Sequence, residues 1–335
     1  MIVTIENDYL SVSIQKKGAE LCSFRSKKSD TEFMWNGDPA VWGSFAPVLF
    51  PIIGCLKDNE FFLNGKKGTV PKHGFIRNNE ELIVTQINET TVEFSFKYSE
   101  KTLENYPFKF EFSILFQLVG SVLEVHHRVF NHSSSEPMYY SLGGHPAFKC
   151  PFYENETYED YYLEFEQEET VDTWEVTKDG LIGTTTKSLL DRQRKLSLYP
   201  TIFQNDALIL KTLKSRSVRL RSKNHATYLQ VEFDDFNYLG LWAKPNAPFI
   251  CIEPWLGISD SVLATKDISE KEGIMSLAPL SEGRHLFSIR LVTPPVYNYK
   301  AGIDESYYAG IGEGIGWYLT TGFPLEFQLK FGFQF

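Results

Sequence analysis

Four short stretches of this chain carry residues able to move protons. "VPKHGFIRN" places His73 and Arg77 four residues apart on a Gly-containing loop. "SLGGHPAF" sets His145 between Gly144 and Pro146 at the end of a strand-like run, where glycine weakens a strand and proline cannot donate to its ladder. "FQNDALIL" brings Asp206 to the start of an apolar run, and "APFICIEPWLG" embeds Glu253 between Ile252 and Pro254, with Trp255 next to it. Taken singly, each has a structural alternative. His73 reads as a loop histidine, His145 as one bonded to a nearby carbonyl, Asp206 as a turn or cap residue, and Glu253 as half of an ion pair with Arg77. The structural reading of Glu253 is the least comfortable, because a carboxylate in "FICIEPW" costs several kcal/mol, in order of magnitude, unless it is paired or used.

Together, two histidines, a half-buried carboxylate, a second acid and many aromatic residues make a kit for acid–base work on a neutral, polyhydroxylated ligand. Indole and phenol faces stack on the apolar side of a sugar ring, while carboxylate, guanidinium and imidazole groups bond its hydroxyls. Trp35, Trp42, Phe45, Trp242 and Trp255 are available for stacking. Burial raises a carboxylate pKa toward the working pH, where a general base acts best. No metal site is expected: His126 and His127 alternate across a strand and face opposite sides, and no close ligand spacing occurs elsewhere. Phosphate-binding loops, dinucleotide fingerprints, HExxH and GxSxG are missing, which leaves no sequence support for a nucleotide or other cofactor.

The elements that must position these residues are strands. "YLSVSIQ" (9–15), "TVEFSFKY" (91–98), "FKFEFSILFQL" (108–118), "VLEVHHRVF" (122–130), "DYYLEFEQ" (160–167), "SVRLRS" (217–222), "YLQVEF" (228–233) and "HLFSIRLV" (285–292) alternate apolar and polar residues. Turn signals such as "LNGKKG" and "KPNAP" fall between them. Helical periodicity is confined to short turns near 101–106 and 187–193. The pattern predicts an all-β chain, a large antiparallel β-sandwich with few helical turns. Residues 30–60, aromatic and rich in Pro and Gly, read as ordered irregular chain lining something.

The 335 residues carry a formal net charge of -10, which opposes non-specific nucleic-acid binding. No apolar run approaches the ~20 residues needed to span a bilayer, and the N-terminus lacks the pattern of a secretory leader. A cytoplasmic protein, monomeric or homodimeric, with four unpaired cysteines and no membrane partner is expected. The organisation expected is one β-sandwich domain over 1–293, followed by a Gly- and aromatic-rich extension over 294–335 of unassigned role.

In order and spacing, "MWNGDPAVWGSFAPVLFPIIG", "NEFFLNGKKGTVPKHGFIR", "SLGGHPAFKCP", "NDALILK" and "ICIEPWLGISDS" resemble the aldose 1-epimerase (galactose mutarotase) superfamily, and within it the bacterial mutarotase-related branch, over about residues 1–293. The resemblance implies a large antiparallel β-sandwich and cofactor-free interconversion of the α and β anomers of an aldohexose. It implies that Glu253 takes the proton of the anomeric hydroxyl and His145 gives one to the ring oxygen. By the same likeness His73 is a second histidine on the sugar, and Asp206 holds sugar hydroxyls, with Arg77, Trp255 and Trp42 as further substrate-binding residues. The family's substrate-binding arginine falls on Cys55, and a thiol cannot make a guanidinium's fork of bonds. Lys57 and Arg77 are the candidates to replace it, and Arg77, close to His73, is preferred. The alternatives are a hexose-6-phosphate 1-epimerase, suggested by "HGF-x-R", and a carbohydrate-binding protein with the same cleft and no turnover.

Overall fold

A computed structural model of the chain describes residues 1–294; the extension expected beyond the sandwich lies outside the described residues. Strands dominate. In Val122–Asn131 every second residue is buried, and Leu10–Gln15 shows the same alternation, so one face of each strand meets the core and the other meets water. The strands at Thr91–Lys97, Phe110–Val119, Ser217–Ser222 and Tyr228–Glu232 fall where the period-2 pattern puts them.

Fifteen strands join one antiparallel sheet. Its path runs from Val48–Leu49 through Gly143–Gly144, Phe249–Trp255, Tyr238–Trp242, Leu208–Leu210 and Tyr161–Val176 to Ser217–Ser222. It continues through Tyr228–Glu232, Glu282–Val292, Val122–Asn131, Phe110–Val119 and Thr91–Lys97 to Ile83–Asn88. Ala147–Lys149 and Ile182–Ser197 pair alongside this path. The sheet folds over itself. Phe287, in the later half of the path, stands so close to Gly144 in the early half that a Cβ there would lie 2.8 Å from its ring. Phe50, next to the first strand of the path, stacks on Phe112 at 4.7 Å. The core between the two layers is largely aromatic, and each fully buried Phe contributes roughly 1.5–3 kcal/mol. The β-sandwich expected from the alternation is therefore the observed fold.

Two local expectations are corrected. Residues 187–193 are not a helical turn; they belong to the strand Ile182–Ser197, which forms a long hairpin with Tyr161–Val176. Most of that strand is exposed, so its polar sequence carries no alternation to read. Nor does the sheet break at "GGHP". Gly143 and Gly144 form a short strand between Val48–Leu49 and Phe249–Trp255, and they are glycine because a Cβ at 143 would lie 2.5 Å from the Pro254 carbonyl oxygen. The close approach is to neighbouring chain, and it brings His145 out at the edge of the tightest part of the sheet.

The one α-helix among the described residues, Glu100–Asn105, starts at a Ser99–Thr102 capping box. No helix among them is long and apolar enough to cross a membrane.

Candidate active site

The strand Phe249–Trp255 is buried at every position, because it is covered on both faces and paired on both edges. Its alternation puts Cys251, Glu253 and Trp255 on one face. Glu253 is 1 % exposed, and its Oε2 lies 3.2 Å from Nε2 of His145 with no properly directed hydrogen bond to any group. His145 is held from behind: its N–H donates to the Pro47 carbonyl, and the next carbonyl, of Pro146, accepts from the Ile252 N–H.

Aromatic rings enclose this pair. Trp42 stacks on the His145 ring at 5.2 Å and 27°, and Trp242 meets it edge-on at 5.9 Å. Trp42 belongs to the irregular segment expected to line something. It is fixed there by the Trp35 indole N–H, which donates to its carbonyl, and by its own N–H to the Asp38 carbonyl. His73 completes the group with its ring 5.8 Å from that of His145 and nearly perpendicular to it. The Gly54 N–H donates to His73 Nδ1 at 3.1 Å, so the ring hydrogen is on Nε2. The His73 backbone has φ +64°, a left-handed conformation that is uncommon away from glycine and gathers at functional sites.

Electrostatics follow from burial. Desolvation pushes the Glu253 carboxyl well above the ordinary carboxylate range, and the charge of Asp206 adds to this. The Trp255 indole and the charges of Lys72 and Arg77 pull the other way, although the indole stands outside hydrogen-bonding geometry. Burial, helped by Arg77 and Lys72, pulls His145 down to about 3, and burial likewise carries His73 well below the usual range. The structure thus brings Glu253, His145, His73 and Trp42 together, with the Trp255 indole beside Glu253 and the charges of Arg77 and Asp206 within reach of it. Asp206 is the exposed member, at a left-handed turn with φ +83°.

Lys72 was not singled out in the sequence, where a loop lysine carries no signal. Its Nζ stands 3.9 Å, and the Cys55 Sγ 2.9 Å, from where a Cβ on Gly180 would be, so the ammonium comes near the Cys55 thiol. Lys57, by contrast, turns away and donates to the Ala264 carbonyl. Arg77 lies between the charges of Glu20 and Glu253. Two cations therefore flank the site. His145, Cys251 and Glu253 also offer three ligand atoms within 4.8 Å of one another, the convergence a metal ion would need. That set contains both Glu253 and His145, and burial holds the Cys251 thiol well above its ordinary pKa in the metal-free protein.

The family model described as aldose 1-epimerase matches residues 1–272. The chromosomal protein LacX of Lactococcus lactis subsp. lactis is 36% identical over 307 residues, covering 87% of this chain and 100% of LacX. The crystal structure of a galactose mutarotase related enzyme from Lactobacillus acidophilus superimposes with a TM-score of 0.82 at 35% identity, covering 88% of this chain and 98% of that one. A galactose mutarotase-like protein from Lactobacillus casei gives a TM-score of 0.81 at 27% identity, with 87% and 100% covered. With the sandwich and its site laid over that match, the chain belongs to the aldose 1-epimerase family.

Proposed function

We propose that the protein is an aldose 1-epimerase that interconverts the anomers of an aldohexose by opening and reclosing the pyranose ring, with Glu253 and His145 as the proton-transfer pair. The observation that carries this reading is the contact of Glu253 Oε2 with His145 Nε2 at 3.2 Å, with the rings of Trp42 and Trp242 packed against the imidazole. The anomeric hydroxyl and the ring oxygen share one carbon. A base and an acid for these two atoms must therefore stand side by side, as these do.

Ring opening needs a carboxylate at the hydroxyl and an imidazolium at the ring oxygen. Burial favours the neutral forms of both groups in the free protein, with the proton on Glu253. The reactive arrangement has the same proton count and differs only by transfer of that proton from Glu253 to His145. Glu253 then takes the proton from O1 as His145 protonates the ring oxygen, and the C1–O5 bond breaks to leave the aldehyde. Rotation about C1–C2 presents the other face of the carbonyl, and the reverse transfers close the ring. General acid and general base contribute roughly 10²–10⁴-fold each, enough for a hemiacetal that already opens in water. His73, with its hydrogen on Nε2, donates to the ring oxygen or a neighbouring hydroxyl, and Asp206 accepts from hydroxyls at the open side.

A second reading is supported by Lys72 and Arg77, whose charges both reach Glu253 and His145. A phosphorylated hexose requires at least two such cations. Polarimetry on freshly dissolved α-D-glucose, α-D-galactose and their 6-phosphates tests both readings. Acceleration of the free sugars is expected. Acceleration of the phosphates alone selects the second reading, and sugar binding without acceleration of any of the four overturns both in favour of a binding protein.

A further inference from the structure

A second buried ionic pair lies behind the site. Lys271 Nζ and Asp260 Oδ1 are 2.6 Å apart, with side chains only 3% and 4% exposed. Lys271 also donates to the Ile258 carbonyl at 2.7 Å. The other Asp260 oxygen, Oδ2, accepts from the Lys57 N–H at 2.9 Å, and the Asp260 N–H donates to the Cys55 carbonyl at 2.8 Å. Beside it, Ser259 Oγ accepts from the Cys55 N–H at 3.0 Å. The strap from Gly54 to Lys57 is thus bonded at three backbone groups, two of Cys55 and one of Lys57, to the segment that follows the Glu253 strand. Its first residue, Gly54, makes two bonds to His73: its N–H donates to Nδ1, and its carbonyl accepts the His73 N–H at 2.8 Å.

Removing a lysine and an aspartate from water offsets most of what their attraction returns, so an apolar pair of similar volume would serve the core as well. An apolar pair lacks directed bonds. Asp260 takes one bond from Lys271 and one from the strap, and so sets where the strap runs. We infer that Asp260 and Lys271 are positioning residues for the sugar site, holding the Gly54–Lys57 strap where Gly54 locks His73 into the tautomer that donates from Nε2. This rests on the proposed reaction only in naming what His73 donates to.

The test is the double substitution Asp260→Leu with Lys271→Met, which removes both buried charges together. Expected are a thermal midpoint close to that of the unaltered protein and a fall of about tenfold in kcat/KM, mostly through KM. The His73 ring should give two tautomer signals by nitrogen NMR where the unaltered protein gives one. A folded double variant with unchanged KM and a single His73 tautomer would overturn the inference. If that variant does not fold, Ser259→Ala decides: it removes only the acceptor of the Cys55 N–H, and should raise KM about threefold with the same spectral change. An unchanged KM and His73 spectrum in Ser259→Ala overturn the inference equally. The NMR signals need no turnover. A protein inactive on every sugar would sink the proposed reaction while His73 still decides this one.

Discussion

Among the described residues, two glutamates buried beside a histidine are built to opposite ends. Glu156 lies 3.3 Å from His225 Nε2, much as Glu253 lies 3.2 Å from His145. Yet Glu156 also accepts from the Ser222 hydroxyl at 2.7 Å and from the Tyr161 hydroxyl, so both its oxygens are bonded. It clips the 150–160 loop to the sheet. Glu253 is buried more deeply and has an oxygen with no directed partner, beside the His145 ring on which Trp42 stacks. A carboxylate whose bonds are filled from within the protein ties chain together. One whose bonds are left open is held ready for a molecule from outside.

The comparison is most easily broken by exchanging a single atom in each pair. Glu253→Gln should lower sugar mutarotation by roughly 10²–10⁴-fold in polarimetry, while the protein stays folded. Glu156→Gln should leave the rate within about twofold and lower unfolding stability by about 1–3 kcal/mol in denaturant melts, since it unbalances a satisfied buried network. Equal kinetic losses in the two variants would erase the distinction.

Acidity sharpens it next. Because the reactive pair carries one proton, kcat/KM should be level over a broad window. It should fall toward pH 3 as a second proton binds, and fall again on the alkaline side as the last proton leaves Glu253. A rate rising steadily with pH, after subtraction of the buffer blank, would contradict this. Stability should move as well. A carboxyl whose folded pKa lies above its unfolded value stabilises the fold below that unfolded value and loses the contribution as pH rises through the folded one. Glu253→Gln should therefore melt at a higher temperature than the unaltered protein above neutrality, with the difference fading toward pH 4.5.

Most of the sandwich, and Glu253 and His145 as the residues to look at, were legible in the sequence, for one physical reason. Strands with one face in the core must alternate, as Ser217–Ser222 does, and a carboxylate inside "FICIEPW" has no cheap explanation. What escaped notice lacks such a signature. Residues 187–193 pair in an exposed hairpin, where nothing forces a pattern. Lys72 is an ordinary loop lysine until folding brings it to Cys55. Asp260 and Lys271 meet only because the chain turns back after the Glu253 strand, and "GISD" and "EKEG" read as surface turn.

The smallest effects concern the cations Lys72 and Arg77 and the thiol of Cys55. Lys72→Ala and Arg77→Met should each raise KM for the preferred sugar by about tenfold while leaving kcat within about threefold, because they bind rather than transfer protons. A phosphorylated substrate would show the larger loss in both. Cys55→Ala should change kcat/KM by less than about twofold, since the thiol is kept protonated by burial and offers only weak bonds. A large loss there would return the reading of substrate to the thiol itself.

The strand Phe249–Trp255, covered and paired on every side, bears on how such a protein diversifies. Almost any change along it disturbs two layers of core, so the carboxylate it carries is the costliest part of the site to move. Lys72 and Asp206 are exposed on turns outside that strand. Substitutions at such turns should change what the protein binds before they touch the Glu253–His145 contact.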